Sequence, residues 1–491
     1  MSLEPHSNPT AAPHRWAVIG GGISGLVAAW QLRQLRPDDD VVVYEGSERL
    51  GGILGTHRLG DWLVEQAADM FVTDPADAVE LCQELGIADQ LLATNADKRG
   101  ALIAFRKRMY RIPEGFSLMA PSAWWPIAST GLLTWRGKLR LLRERFVKPR
   151  AGDTDEDFES FAIRRCGQEA YERLIQPLVS GIYTADPRQL SMRATSLKRF
   201  VDMESRWGSM TRGVIREALQ RRGKQPPTGD AKGRESQVTG ARYGMFVAPR
   251  DGMQTLIDRL AESLGDAIRL GRRVTRLCRE SRDGATRWRV TTDSGTESFD
   301  GVIVATQAAG SAALLRETDA LLADDLDSIE HASCAVVVLG MKPRETPPPV
   351  FGVLVPNVER RPLIAAALTS HKLPRRAPDG GLLVRVFFGG ALNPEIMRRS
   401  DEELIALAQS ELQEVAGIAG PVELTKVVRW ADTMPQYHVG HLAKVARIEE
   451  RANAIDRLVL IGNAFHGVGI PDCVRFGRNA ARRLVAGEPV T

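Results

Sequence analysis

The sequence predicts an α/β protein with a discontinuous, doubly wound nucleotide-binding domain, a mixed-sheet domain and a mostly helical subdomain. Three observations carry this. An apolar strand at 16–19 opens onto Gly20, Gly21, Gly22, Ile23, Ser24 and Gly25, and a second apolar strand at 41–44 ends on Glu45. Buried-type strands of the same kind return only at 301–306 and 458–463, so the first sheet is assembled from distant pieces of chain. Between them, apolar, β-branched runs at 335–339 and 382–388 read as a second sheet.

The first unit has a chemical logic. Gly20 allows a tight turn out of the strand, Gly22 lets the backbone approach a pyrophosphate, and Gly25 lets the next helix pack on the sheet. That helix, from Ile23 to about 35, offers unpaired N–H groups and a positive dipole end to an anionic diphosphate. Glu45 stands twenty residues past Gly25, where a carboxylate accepts hydrogen bonds from ribose hydroxyls and favours a free 2′-hydroxyl.

Further along, 75–95 reads as helical, with Ala78, Leu81, Leu85 and Leu91 as its apolar positions. Residues 101–112 read as strands around the basic turn Arg106, Lys107 and Arg108. A mostly helical region runs from about 115 to 220, and the Gly/Pro/charge-rich 221–240 reads as a loop. Val274 falls in a short strand and 288–292 in another. Residues 400–415 form a helix with a capping box of Ser400 and Glu403, and a last helix spans about 472–484.

The totals exclude several classes. At 491 residues the chain is too long for one ordinary core. A net charge of +4 carries no nucleic-acid signature. Five scattered cysteines without CxxC spacing form no disulfide framework, and no Cys or acid completes a zinc set around His438 and His441. Residues 1–13 are polar and read as a tail rather than a signal peptide. The uncharged run 116–135 is broken by Pro121, Pro126 and hydroxyl residues, so it does not read as a membrane span. Trp124, Trp125 and Trp135 precede Arg136, Lys138, Arg140, Arg143, Arg145, Lys148 and Arg150. Aromatics beside cations suit an anionic membrane interface, and they suit a solvated basic face over a Trp-filled core about equally.

Arg49, Gly51 and Gly52 resemble the glutathione-reductase-like flavoproteins, which makes FAD the expected dinucleotide. Residues 174–183, Asp186 with Pro187, Leu190 with Ser191, and the segments 351–356, 435–441 and 467–473 are more specific. With them, the chain from about 15 to 485 resembles the oxygen-dependent protoporphyrinogen oxidases. The resemblance implies that Gly20 to Gly25, Glu45, Arg49, Gly52 and Ile53 hold FAD, with Ala67, Ala68, Asp69 and Met70 near the isoalloxazine. Val274 would meet the adenine through its backbone. Asn463, Val468, Gly469 and Ile470 would lie against the flavin at the start of the last helix, whose dipole favours negative charge there. Phe351 and Leu354 match a pair that sandwiches a tetrapyrrole, Gly181 and Phe387 match pocket walls, and Arg99 is the candidate partner of a propionate, with Arg106 and Arg108 as alternatives.

The implied reaction is six-electron oxidation of protoporphyrinogen IX to protoporphyrin IX by O2 with release of H2O2, late in haem biosynthesis, with no catalytic side chain beyond FAD. Coproporphyrinogen III oxidation by the same chemistry is the alternative; a flavin amine oxidase or a non-catalytic prenyl-binding relative is more distant. The resemblance also implies a cytoplasmic protein held peripherally on the inner face of the cell membrane, and it allows a homodimer. It divides the chain into an FAD-binding domain (14–90, 245–310 and 450–491), a substrate domain (91–114 and 311–449) and a helical, membrane-associating domain (115–235).

Overall fold

Five parallel strands form the nucleotide-side sheet of the computed structural model, which describes residues 13–222, 246–282 and 285–486. Their order is Ile268–Arg269, Asp40–Tyr44, Arg15–Ile19, Gly301–Val304 and Leu458–Leu460. Both faces are covered, which is why these strands read as unbroken apolar runs. Trp16, Val18, Val41, Val43 and Ile303 face helices Ile23–Leu35, Gln254–Leu264 and Ile470–Ala486. Their alternates Ala17, Ile19, Val42, Tyr44 and Val304 face the opposite core, which holds Leu277, Trp288 and Phe299 of a three-stranded meander. Helices Ala308–Leu315, Ala320–Asp327 and His441–Asn453 also pack there, so this core reaches past the boundaries at 310 and 450 drawn from the sequence.

A separate seven-stranded mixed sheet carries the rest of the β structure. Its order is Val422–Pro435, His331–Met341, Leu382–Gly389, Leu363–Leu368, Gly352–Leu354, Ala101–Phe105 and Arg108–Arg111. Only the Gly352–Leu354 and Ala101–Phe105 pair is parallel. The fold is therefore α/β, a Rossmann-like region joined to a distinct mixed sheet.

The helical stretch begins with the small hairpin Phe116–Ser117 and Ala120–Pro121, then helices with their own apolar core around Phe158, Phe161, Leu174 and Phe200. One turn of π-helix, Tyr171–Ile175, precedes the helix Gln176–Tyr183. Among the described residues no helix is long and apolar enough to cross a membrane.

Most elements fall where the sequence puts them, including the capping box at Ser400 and Glu403. One expectation fails. The helix read over 75–95 is Asp77–Glu84, and Leu91–Ala93 is a strand paired with Phe246–Pro249. Leu91 keeps its helical spacing by coincidence, because strand pairing with a distant segment overrides local periodicity. The tail up to residue 12, and the loop reading from 223 on, lie outside the described residues.

Candidate active site

The chain leaves the central strand Arg15–Ile19 at the point where the sheet order reverses, the place where open α/β sheets bind ligands. Gly20 turns there at φ +112°, and a Cβ on Gly25 would lie 2.0 Å from the Gly20 carbonyl oxygen. Only glycine permits that approach of helix to turn. Gly22 differs: a Cβ there would meet nothing within 4 Å, so the loop faces open space. No side chain caps the helix Ile23–Leu35, whose first N–H groups are left for a ligand. The loop thus fits a diphosphate.

Glu45 Oε2 accepts from Gly21 N at 2.8 Å and Oε1 from Ser47 N at 2.8 Å, fixing the carboxylate beside the loop with acceptor capacity to spare. Gly22 and Gly51 form an isolated bridge, which lays the 49–54 loop against the first. Arg49 holds that loop in shape: its guanidinium donates to the carbonyls of Leu50, Leu54 and Gly52. Ile53 stays 37% exposed on it, an apolar side chain without a cover. Val274 begins the strand Val274–Arg282 close to Glu45, whose carbonyl accepts from Arg272 N at 2.8 Å.

The predicted flavin-ring residues converge from two ends of the chain. Gln66 N donates to the Gly55 carbonyl at 2.8 Å, so Ala67, Ala68, Asp69 and Met70 continue from the 49–55 loop toward the mixed sheet. Asn463 sits in the turn after Leu458–Leu460, and its carbonyl accepts from the Tyr437 hydroxyl. Val468 and Gly469 lead into Ile470, the first residue of a 17-residue helix. Cys473 is an inert thiol, pushed up to about 11 by burial. His441, brought down to about 4 by burial, stacks on Tyr437 with ring centroids 4.4 Å apart and binds the Phe465 carbonyl at 3.0 Å. It is a neutral structural histidine.

The substrate-side residues divide. Leu354 keeps part of its surface open and lies 3.7 Å from the Cβ position of the exposed Gly181. Phe351, its predicted partner, is only 1% exposed. Phe387 is half-buried, with the Arg385 guanidinium 5.2 Å from its ring centroid. Arg99 precedes Gly100, whose carbonyl accepts from Phe351 N at 2.8 Å, and Arg99 Nε is buried without a hydrogen-bond partner. Arg106 and Arg108 are exposed in and beside the turn of the edge hairpin.

Sequence reasoning missed Lys372, Arg385, Trp430 and Tyr437, which tie the flavin-side segments to the mixed sheet. One signal was available for Arg385, a charge inside the apolar strand Leu382–Gly389.

A family model described as flavin containing amine oxidoreductase matches residues 23–485. The chain belongs to this family. This flavin-containing oxidoreductase is 30% identical over 477 residues to the coproporphyrinogen III oxidase of Bacillus subtilis, covering 94% of this chain and 96% of that one. The Staphylococcus aureus protein of the same name is 28% identical over 477 residues, covering 96% and 98%. The mitochondrial protoporphyrinogen oxidase of Nicotiana tabacum is 26% identical over 497 residues, covering 96% and 95%. Among solved structures, one from Exiguobacterium sp. 255-15, provisionally named a protoporphyrinogen oxidase, matches with TM-score 0.83 at 27% identity, covering 97% and 100%. A putrescine oxidase shares the fold at TM-score 0.65 and 16% identity, over 96% and 99%.

These relatives overturn the expectation of a protoporphyrinogen oxidase. The higher identities lie with coproporphyrinogen III oxidases, the reading held as the alternative. The two substrates share one ring chemistry and differ in peripheral groups, so motifs that hold the macrocycle do not separate them.

Proposed function

We propose that this chain is an FAD-dependent coproporphyrinogen III oxidase, which oxidises its substrate to coproporphyrin III with O2 and releases H2O2. Similarity along nearly the whole chain to proteins of that name carries the reading. Bound FAD supplies the electron acceptor, two electrons at a time, so the six-electron oxidation takes three rounds and three O2.

The chain's own residues bind, orient and exclude water. Gly20 to Gly25 and the uncapped helix start take the diphosphate, Glu45 takes ribose hydroxyls, and Val274 takes the adenine end. Arg49 holds Gly52 and Ile53 in place beside them. Ala67 to Met70 on one side, and Asn463 with Val468 to Ile470 on the other, bracket the ring. Leu354, Gly181 and Phe387 shape an apolar site for the macrocycle, Phe351 being buried in the core and not open to it, and Arg99 answers a carboxylate.

Porphyrin fluorescence under air, measured with both porphyrinogens, tests the reading. A kcat/KM about tenfold higher for coproporphyrinogen III is expected, equivalent to about 1.4 kcal/mol in the barrier. Equal or faster oxidation of protoporphyrinogen IX overturns the substrate, and no oxidation above autoxidation overturns the reaction.

We also propose peripheral contact of the helical subdomain with the inner face of the cell membrane. Trp125, Trp135 and Phe146 are 80%, 65% and 67% exposed. Arg136 and Arg145 lie over the rings of Trp135 and Phe146 at 5.4 and 4.8 Å. Arg140 is not part of this face, because its guanidinium is spent on the carbonyls of Ile163, Arg164 and Arg165. Vesicle sedimentation with and without anionic lipid tests it: binding that depends on neither the lipid charge nor these rings overturns it.

A further inference from the structure

The segment after Glu65 is held by three side chains, two from the mixed sheet and one from the short helix Thr369–Lys372. Trp430 Nε1 donates to the Gln66 carbonyl at 3.1 Å, Arg385 Nη2 to the Ala67 carbonyl, and Lys372 Nζ to Asp69 Oδ2 at 3.1 Å. Arg385 Nη1 lies 3.6 Å from the same carboxylate oxygen. These charges are withdrawn from water: the side chains of Arg385, Asp69 and Lys372 are 3%, 9% and 12% exposed. Two buried cations therefore face one carboxylate, and Arg385 Nε has no hydrogen-bond partner at all. Burial alone would raise the Asp69 carboxyl, but Lys372 and Arg385 together hold it below the usual range, so it is ionised.

The neighbouring acid does not cancel the surplus. Glu65 has no side-chain exposure and lies 4.0 Å from the Arg376 guanidinium. Burial pushes it up to about 7 despite hydrogen bonds from Thr56 and Met253 N, so it carries less negative charge than an ordinary carboxylate. Arg376 adds a further buried cation. A buried unpaired charge costs several kcal/mol unless an anion answers it. The cluster lies between the diphosphate loop and the mixed sheet, with Phe387 beside Arg385. Gln66 N donates to the Gly55 carbonyl at 2.8 Å, so this segment continues from the diphosphate-side loop, and in the FAD reading above Ala67 to Met70 would border the ring.

We propose that Lys372 and Arg385, opposed by Asp69, present a net positive charge to the flavin ring and stabilise the negative charge it gains on reduction. The inference rests on the FAD reading above and deepens it. Lys372 and Arg385 are positioning residues as well, since they fix Ala67 and Asp69.

The test uses the FAD-loaded full chain as wild type, Lys372→Met, Lys372→Arg and Asp69→Asn. Sulfite binding, read as bleaching of the flavin absorbance, reports positive charge at the ring; the reduction potential, by dye equilibration, reports the same quantity independently. Lys372→Met is expected to weaken sulfite binding about tenfold and lower the potential by about 30 mV, the two-electron equivalent. Lys372→Arg keeps both within about twofold of wild type. Asp69→Asn removes the opposing charge and shifts both the other way. That reversal separates charge from packing, because a loosened segment would weaken sulfite binding in both variants. Shifts of the same sign in Lys372→Met and Asp69→Asn overturn the proposal. So does bound flavin with unmoved sulfite affinity, and a change confined to KM would assign the charge to a substrate carboxylate instead. A protein that takes up no FAD overturns the cofactor reading itself and this inference with it.

Discussion

The diphosphate loop and the boundary between flavin and mixed sheet are built in opposite ways. At the loop, Gly20 to Gly25, Glu45 and Arg49 to Gly52 come from one continuous stretch and meet through backbone contacts. At the boundary, Asp69 meets Lys372, 303 residues away, and the Gln66 carbonyl meets Trp430, 364 residues away. The first arrangement encodes a shape and the second places charge. Two carboxylates four residues apart show the consequence. Glu65 is pushed up to about 7 by burial with Arg376 no nearer than 4.0 Å, whereas Asp69 is held low, because Lys372 and Arg385 outweigh the burial that would raise it.

The largest expected effect lies at the loop. Gly22→Val should abolish flavin retention, read by absorbance after purification, with far-UV circular dichroism unchanged because a Cβ at this position meets nothing within 4 Å. Full retention would break the idea that the loop is shaped for a ligand. Gly25→Ala drives a Cβ into the Gly20 carbonyl and should cost about 3 kcal/mol in thermal unfolding. A neutral result would show that the turn yields where the geometry says it cannot.

At the boundary the effects are smaller and depend on pH. Glu65 is raised from 4.5 to about 7 in the fold, so the native state holds more protons than the unfolded chain between those values. Its contribution is fully present below 4.5 and is lost as pH rises to about 7. Glu65→Gln should therefore flatten the decline in stability over that interval, by about 3 kcal/mol across it, as measured by denaturant melts at several pH values. Asp69 carries the opposite sign, with stability lost as pH falls through its lowered value. If Glu65→Gln leaves the slope intact, the contrast between the two acids fails. Smallest of all, Tyr437→Phe removes the hydroxyl that binds the Asn463 carbonyl and should cost about 1 kcal/mol while flavin remains bound.

The same division governs what could be read in advance. The first βαβ unit, the hairpin around Arg106 and the capping box at Ser400 were legible because each is decided within a few residues of chain. The strand at Leu91–Ala93 was not, since its partner is Phe246–Pro249. Phe351 and Leu354 look alike as apolar strand residues, yet one is buried and the other stays partly open beside Gly181. The substrate assignment failed for a related reason: the motifs at 174–183 and 351–356 resemble ones that hold the macrocycle, and nothing local in them separates two porphyrinogens that differ in their peripheral carboxylates. Arg385 was visible only as a charge in an apolar strand, with nothing local to say what it faces.

By itself the sequence determined the nucleotide loop and the α/β alternation, because turn geometry, helix start and strand periodicity are short-range properties of adjacent residues. Only the tertiary structure decided which acids stay charged, which apolar residues remain open, and where Lys372 and Arg385 bring their surplus charge. Those outcomes depend on burial and on separations of about 3–4 Å between residues hundreds of positions apart, over which the energy of a buried charge changes most steeply.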